Sequence, residues 1–292
     1  MGVLLLRALP EPGNGAENLA ASRIWAAGQA CVIWGRARRS DFPRYPDALS
    51  IRATWGGRQY CQVGSRCVAV DDDNYLILNP GVRCSTRIDA SQPVEALTIC
   101  FHPDIGRDGG DAFSENLQPH DGVVSPVLRF IRAHLARGLT DEAWFEEQLD
   151  FLLERMRLGR RKLLDHADRL GPMRAATRRE ARRRIGLATD YLHTYYERDI
   201  RLATLARIAC LSKFHFLRLF TRIHGVTPHT YLQRKRVEVA VRLLESARLG
   251  VSEVAASVGF FSDSTLLRHV RRQTRLSPRQ LRNRAAELAT PA

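Results

Sequence analysis

Lysine is scarce in this chain. Only Lys162, Lys213 and Lys235 stand among its 45 basic residues, so arginine carries nearly all the positive charge. Arginine's planar fork suits bidentate contacts to phosphates and guanine edges, and a GC-rich genome produces the same bias. Six cysteines in 292 residues are too few for a disulfide scaffold and fit a reduced, cytoplasmic setting. No run of about eighteen apolar residues occurs, which excludes a membrane-spanning helix. The opening Val3–Leu6 run is broken by Arg7 and has no basic leader, which argues against a secretory signal. Also missing are a Gly-x-Ser-x-Gly elbow, a Gly-rich phosphate loop and a His-Glu-x-x-His pair. Those absences argue against the matching enzymes. No catalytic residue, metal ligand or cofactor is assigned.

What is present is unevenly placed. Residues 1–120 hold 12 basic and 13 acidic groups, and residues 121–170 hold nine of each. Residues 171–292 hold 24 basic groups against nine acidic ones. The whole excess of positive charge therefore falls in the last 122 residues. That is the footprint of a polyanion-binding module joined to neutral segments. The length itself suggests two domains and a connector.

Residues 20–115 read as β-structure. Apolar runs at Arg58–Val63, Ser65–Val70, Tyr75–Leu78, Val82–Ile88 and Glu95–Phe101 are split by turn-formers such as Gly64 and Asn79-Pro80-Gly81. Strands this short and frequent suggest a sandwich or barrel. From Ser125-Pro126 the pattern turns helical, with Ser125 as expected cap and Pro126 as first helical residue. Over 141–165, Phe145, Leu149, Leu152, Met156 and Leu163 fall near heptad spacing. Both a pairing seam and a helix packed on its own barrel fit that stripe. Gly171–Arg184 reads as a hinge.

The basic region repeats itself. Leu202-x-x-Leu205-Ala206-x-x-Ala209 matches Val251-x-x-Val254-Ala255-x-x-Val258 at an offset of 49 residues. Phe216–Phe220 matches Leu266–Val270 at 50, and Val226-Thr227-Pro228 matches Leu276-Ser277-Pro278 at 50. One residue has thus been added in the second copy's turn. Each copy predicts a short helix, a turn, and a second helix opened by a cap, Ser212 or Ser262. This is helix-turn-helix chemistry. Between the copies a helix from Thr227-Pro228 to about Ser246 spans roughly 30 Å. That is close to the spacing of about 34 Å between successive major grooves on one face of B-DNA.

On these residues the segment 186–284 resembles the DNA-binding domain of the AraC/XylS family of bacterial transcription regulators. The matching positions include Leu205-Ala206, Ser212-x-x-His215-x-x-Arg218-x-Phe220, Gly225-x-Thr227-Pro228, Arg236, Gly259-Phe260, Ser264, Arg268 and Ser277-Pro278. Val270, Arg275 and Leu281 depart from the family's usual Phe, Gly and aromatic. Those departures predict looser packing and less selectivity in the second motif. The resemblance implies base reading by Phe214, Leu217 and Arg218, and by Asp263, Ser264, Thr265 and Arg268. Arg reading guanine, and apolar groups meeting thymine methyls, are consistent with that assignment. Lys213, Arg222, Arg271 and Arg272 are expected on phosphates. Cys210, in the tight turn, is expected to be a small buried core residue.

The β-rich segment resembles the cupin-like barrel common in that family. Its mark is Tyr75-Leu76-Ile77-Leu78-Asn79-Pro80-Gly81-Val82-Arg83-Cys84. Cys84 stands where metal-binding cupins place a histidine, and residues 51–70 contain no histidine, so a metallo-cupin enzyme is not expected. Alternation puts Val82, Cys84 and Thr86 on one strand face, and Thr98, Cys100 and His102 on another. If both faces point inward, Cys84, Cys100 and His102 line one effector pocket. Buried structural cysteines, a plain organic-ligand pocket and a thiol switch or soft-metal sensor all fit that spacing.

Together these readings predict an α+β chain with three parts. A cupin-like sensory β-barrel covers residues 1–120, and a helical connector with dimerisation helices covers 121–170. An all-α tandem helix-turn-helix domain covers 171–292. The resemblance implies a cytoplasmic, homodimeric transcription regulator that binds double-stranded DNA, answers a small-molecule effector and has RNA polymerase as a possible partner. Activation and repression are not distinguished. Two rivals remain: a constitutive architectural DNA-binding protein without a ligand, and a thiol- or soft-metal-responsive regulator using Cys84 and Cys100.

Overall fold

A computed structural model describes residues 2–9, 28–42, 48–106, 112–165, 175–246 and 249–289. The chain divides into two compact units, Met1–Pro172 and Met173–Ala292.

Among its described residues the first unit is built on one mixed sheet of eight strands: β1 (Val3–Leu6), β2 (Ala30–Phe42), β3 (Ser50–Trp55), β4 (Gln59–Val63), β5 (Arg66–Val70), β6 (Asn74–Leu78), β7 (Cys84–Cys100) and β8 (Leu117–Pro119). The pairing runs β1-β2-β7-β3-β6-β8, and the β4–β5 hairpin joins along the first half of β7. Among the described residues only β1 and β2 run parallel, and every other pair is antiparallel. The two strands expected at Val82–Ile88 and Glu95–Phe101 are one strand, β7. Pro93 does not end it, because the register on β2 jumps from Ala37↔Val94 to Arg39↔Asp89. Pro93 lies within that bulge, where its missing N–H removes no ladder bond.

The two faces of β7 serve different layers. Leu97 and Ile99 pack with Val32, Ile51 and Ala53 against two helices, α1 (Ser125–Ala136) and α2 (Glu142–Asp165). Phe145, Leu149, Leu152 and Met156, the stripe at heptad spacing, are buried in this same core. Those four side chains are therefore part of the unit's own interior and do not form an exposed seam. Leu163 has no described side chain. Glu95 clamps the layers: its carboxylate accepts from Trp34 Nε1 (2.9 Å) and from Arg132 Nε (2.8 Å) and Nη2 (2.9 Å) on α1. The expected Ser125 cap is corrected. Helix α1 begins at Ser125 itself, and Asp121 Oδ1 accepts from the backbone N–H groups of Val123 (2.8 Å) and Val124 (2.7 Å).

The second unit is all helical: α3 (Ala175–Thr194), α4 (Leu202–Ile208), α5 (Lys213–His224), α6 (Pro228–Glu245), α7 (Val251–Ser257), α8 (Asp263–Thr274) and α9 (Pro278–Ala289). The hinge expected over Gly171–Arg184 is helical from Ala175 onward, and its first four residues lie outside the described ones. The pairs α4–α5 and α7–α8 are the two repeats. Serine and threonine side chains open the helices as the capping pattern predicts. Ser212 Oγ accepts from His215 N (3.3 Å), Ser262 Oγ from Thr265 N (3.3 Å) and Thr227 Oγ1 from Thr230 N (3.3 Å). Phe216, Phe220, Leu266, Val270 and Leu281 are fully buried.

Candidate nucleic-acid interface

The repeats match in backbone as well as in sequence. Leu211 N donates to Ala206 O at 2.9 Å, and Phe260 N donates to Ala255 O at 2.9 Å. Phe260 is thus the counterpart of Leu211, and Phe261 is the added residue of the second turn. Its side chain is fully exposed. Both turns need one left-handed residue, supplied by Cys210 (φ 51°) and Gly259 (φ 80°). Cys210 is exposed, which corrects its expected burial: the left-handed turn directs its side chain outward.

Helix α5 presents one continuous outer face. Phe214 (75% exposed), Leu217, Arg218, Thr221 and Arg222 line an open surface hollow, and Lys213 is exposed at the first helical position. The apolar pair and the two guanidiniums share a face because they recur at three- and four-residue steps. Helix α8 is more self-engaged. Asp263 accepts from Ser252 Oγ at 2.5 Å, and Thr265 Oγ1 bonds Ser262 Oγ at 2.9 Å. Ser264, Arg268, Arg271 and Arg272 are exposed.

Arg236, on α6, has a role that spacing did not disclose. Its Nε donates to Tyr196 O (2.7 Å) and its Nη2 to Arg198 O (2.8 Å). These bonds satisfy carbonyls just past the end of α3 and tie that segment to the helix joining the repeats. Only the long-range fold brings these groups together.

The sensory candidates lie in the first unit. Cys84 and Cys100 are buried, and the side chain of Arg52, also buried, acts electrostatically on both. His102 stands apart from that alternation, since β7 ends at Cys100. It sits in the following turn with Nδ1 3.4 Å from Asp104 Oδ2. Cys61, which spacing did not single out, stands diagonally across from Cys84 on β4 and interacts with its thiol, and Cys84 Sγ donates to Ser85 O at 3.5 Å. The neighbouring Cys61 thiol, with Arg52 and Arg66, holds the Cys84 thiol below its ordinary value against the effect of burial. The Cys61 thiol is correspondingly raised, and burial pushes Cys100 up to about 11. Among the described residues no group of three or more His, Cys, Asp or Glu side chains is placed to hold a metal ion. No described helix is long and apolar enough to cross a membrane.

A tandem helix-turn-helix module is the class that this second unit defines. The family model that matches, a helix-turn-helix domain, covers residues 205–284. Among curated relatives, the transcriptional regulator AlkR of Acinetobacter baylyi is 27% identical over 181 residues, 55% of this chain and 59% of that protein. The chain thus spans less than two thirds of that relative. The virulence regulon transcriptional activator VirF of Yersinia enterocolitica is 24% identical over 237 residues, 77% of this chain and 86% of that protein. Among solved structures, the DNA-binding domain of AdpA in complex with a target DNA is 34% identical. It covers 35% of this chain and 92% of that chain, with a TM-score of 0.33.

Proposed function

We propose that the chain is a sequence-specific DNA-binding transcription regulator of the cytoplasm. In this reading α5 and α8 enter successive major grooves of one duplex. Phe214, Leu217 and Arg218 meet base edges from the first motif, and Ser264 and Arg268 from the second. Asp263 and Thr265 are base-reading candidates too, with part of their polar capacity already engaged. Lys213, Arg222, Arg271 and Arg272 position the protein on phosphates. The observation that carries the reading is the repeat itself: two capped helix-turn-helix copies inside the segment that holds all the excess positive charge. The eighteen residues of α6 measure about 27 Å, a length suited to holding the copies one groove apart. The similarity to AlkR, a transcriptional regulator, and VirF, a transcriptional activator, supports the same assignment. The first unit is read as the sensor of a small molecule, and the whole as a homodimer.

The test is equilibrium binding of the full chain to a duplex selected from its own genome. With about six or more phosphates contacted, log K should fall with log salt at a slope near −5 or steeper. A flat salt dependence, or equal affinity for scrambled duplexes at every salt concentration, overturns the reading.

A further inference from the structure

Among the described residues of the second unit, the large hydrophobic side chains that lie exposed are Phe214 and Phe261. They occupy the same place in the two copies. Phe214 is the second residue of α5, and Phe261 comes directly before Ser262, the cap of α8. Both therefore stand at the leading end of the second helix of their motif.

Along these helices the copies align at an offset of 50. Leu217 matches Leu267, Arg218 matches Arg268, and Phe214 matches Ser264. The second motif thus has no aromatic where α5 carries Phe214. It carries one three residues earlier, at the residue that its turn has gained.

Phe261 does not serve the interior. An apolar residue before the cap often packs back on the fourth helical residue, which in α8 is Leu266. Leu266 is buried and Phe261 is fully exposed, so that contact is not made. Phe260 already fills the inner position. It is buried, its ring lies 5.5 Å from that of His269, and its N–H closes the turn on Ala255 O. In the first motif the matching residue, Leu211, is half-buried and is followed at once by the cap Ser212. The second turn thus keeps that inner residue and adds a phenyl ring that gains nothing for folding, since apolar surface stabilises only when it leaves water.

Resting on the DNA reading above, we propose that Phe261 is a base-contacting residue of the second motif, its ring meeting the 5-methyl group of a thymine in the major groove. In a helix-turn-helix the N-terminal end of the second helix approaches the base edges, and the residue before its cap belongs to that end. Thymine is the base that presents an apolar group there. The exposed neighbours Ser262 and Ser264 are small and do not cover the ring. Each motif then brings one aromatic to the duplex, Phe214 from the helix itself and Phe261 from the turn before it.

The experiment uses the full chain and a duplex selected from its own genome. Each thymine is replaced in turn by deoxyuridine, which lacks only the methyl group. Phe261→Ala should weaken binding about fivefold or more. It should leave the salt slope unchanged, because a phenyl ring displaces no counterions, whereas Arg271→Ala should lower the slope by about 1. With the unaltered chain, deoxyuridine at one position should cost roughly fourfold, the worth of one methyl. That loss should vanish in Phe261→Ala and persist in Phe214→Ala. Unchanged affinity in Phe261→Ala, or weaker affinity with every deoxyuridine loss intact, overturns the proposal. Failure of the DNA reading looks different: the unaltered chain would then show no sequence preference and a flat salt dependence, and this contact would fall with it.

Discussion

Arg275 ends α8 in the left-handed conformation that Gly225 takes at the end of α5, with φ 62° against 72°. Each backbone N–H closes the last turn, Arg275 on Arg271 O and Gly225 on Thr221 O. The geometry is shared but the cost is not, because a Cβ in this region raises the energy by roughly 1–2 kcal/mol. Arg275→Gly should therefore raise stability by about 1 kcal/mol. The check is a urea midpoint that moves up at unchanged slope. A lower midpoint would mean that the Arg275 side chain contributes more than its backbone costs.

The turns show the reverse asymmetry. A Cβ at Gly259 would lie 2.9 Å from the carbonyl carbon of Glu197 and 3.0 Å from Arg236 Nη2, whereas exposed Cys210 tolerates a side chain at the matching position. Gly259→Ala should cost about 2–3 kcal/mol through combined strain and clash. Cys210→Gly should be neutral or stabilising by up to about 1 kcal/mol. Thermal or urea unfolding of the pair measures both, and equal effects would show that the Glu197 contact does not matter.

His224 makes the second unit acid-sensitive. Its Nε2 is 3.1 Å from Thr189 Oγ1, and its ring lies 4.3 Å from Phe220 and 4.8 Å from Tyr231. Burial lowers its pKa to about 4, while in the unfolded chain it titrates near 6.5. The unfolded state thus binds the proton first. The stabilisation is complete above about pH 6.5 and is lost as pH falls towards 4, a change of roughly 2–3 kcal/mol. His224→Gln should flatten the stability curve in that window. An NMR titration placing His224 near 6.5 in the folded protein would remove the basis of the effect.

Within the DNA reading, Arg218 and Arg222 share a helix face but have different expected partners. Arg218→Ala should lose about 1–3 kcal/mol on the specific duplex and relax preference at one base position. Arg222→Ala should weaken all duplexes alike and reduce the salt slope by about 1. Arg268→Ala is the parallel test in the second motif, with a smaller loss expected because two of α8's polar groups, Asp263 and Thr265, are already engaged by neighbouring serines. Identical behaviour of the Arg218 and Arg222 variants on specific and scrambled DNA would end the base-edge assignment.

Local chemistry was legible in the sequence. The caps at Ser212, Ser262 and Thr227, the prolines that follow two turns, and the repeat at offsets of 49 and 50 each depend on a few neighbouring residues. Their physics is complete within one helical turn. The partition of charge needed only counting. What tertiary structure alone decided depends on pairing across distance. Pro93 sits harmlessly within β7 because β7 bulges there against β2, and the Phe145–Met156 stripe is buried because the sheet lies against it. Arg236 found its carbonyls across the unit, and Cys61 met Cys84 through the register of β4 on β7. The sequence could put Cys84 and Cys100 on strand faces, but alternation carries no information about which face turns inward or what stands opposite. That choice belongs to strand order and register, which are set by contacts among segments far apart in the chain.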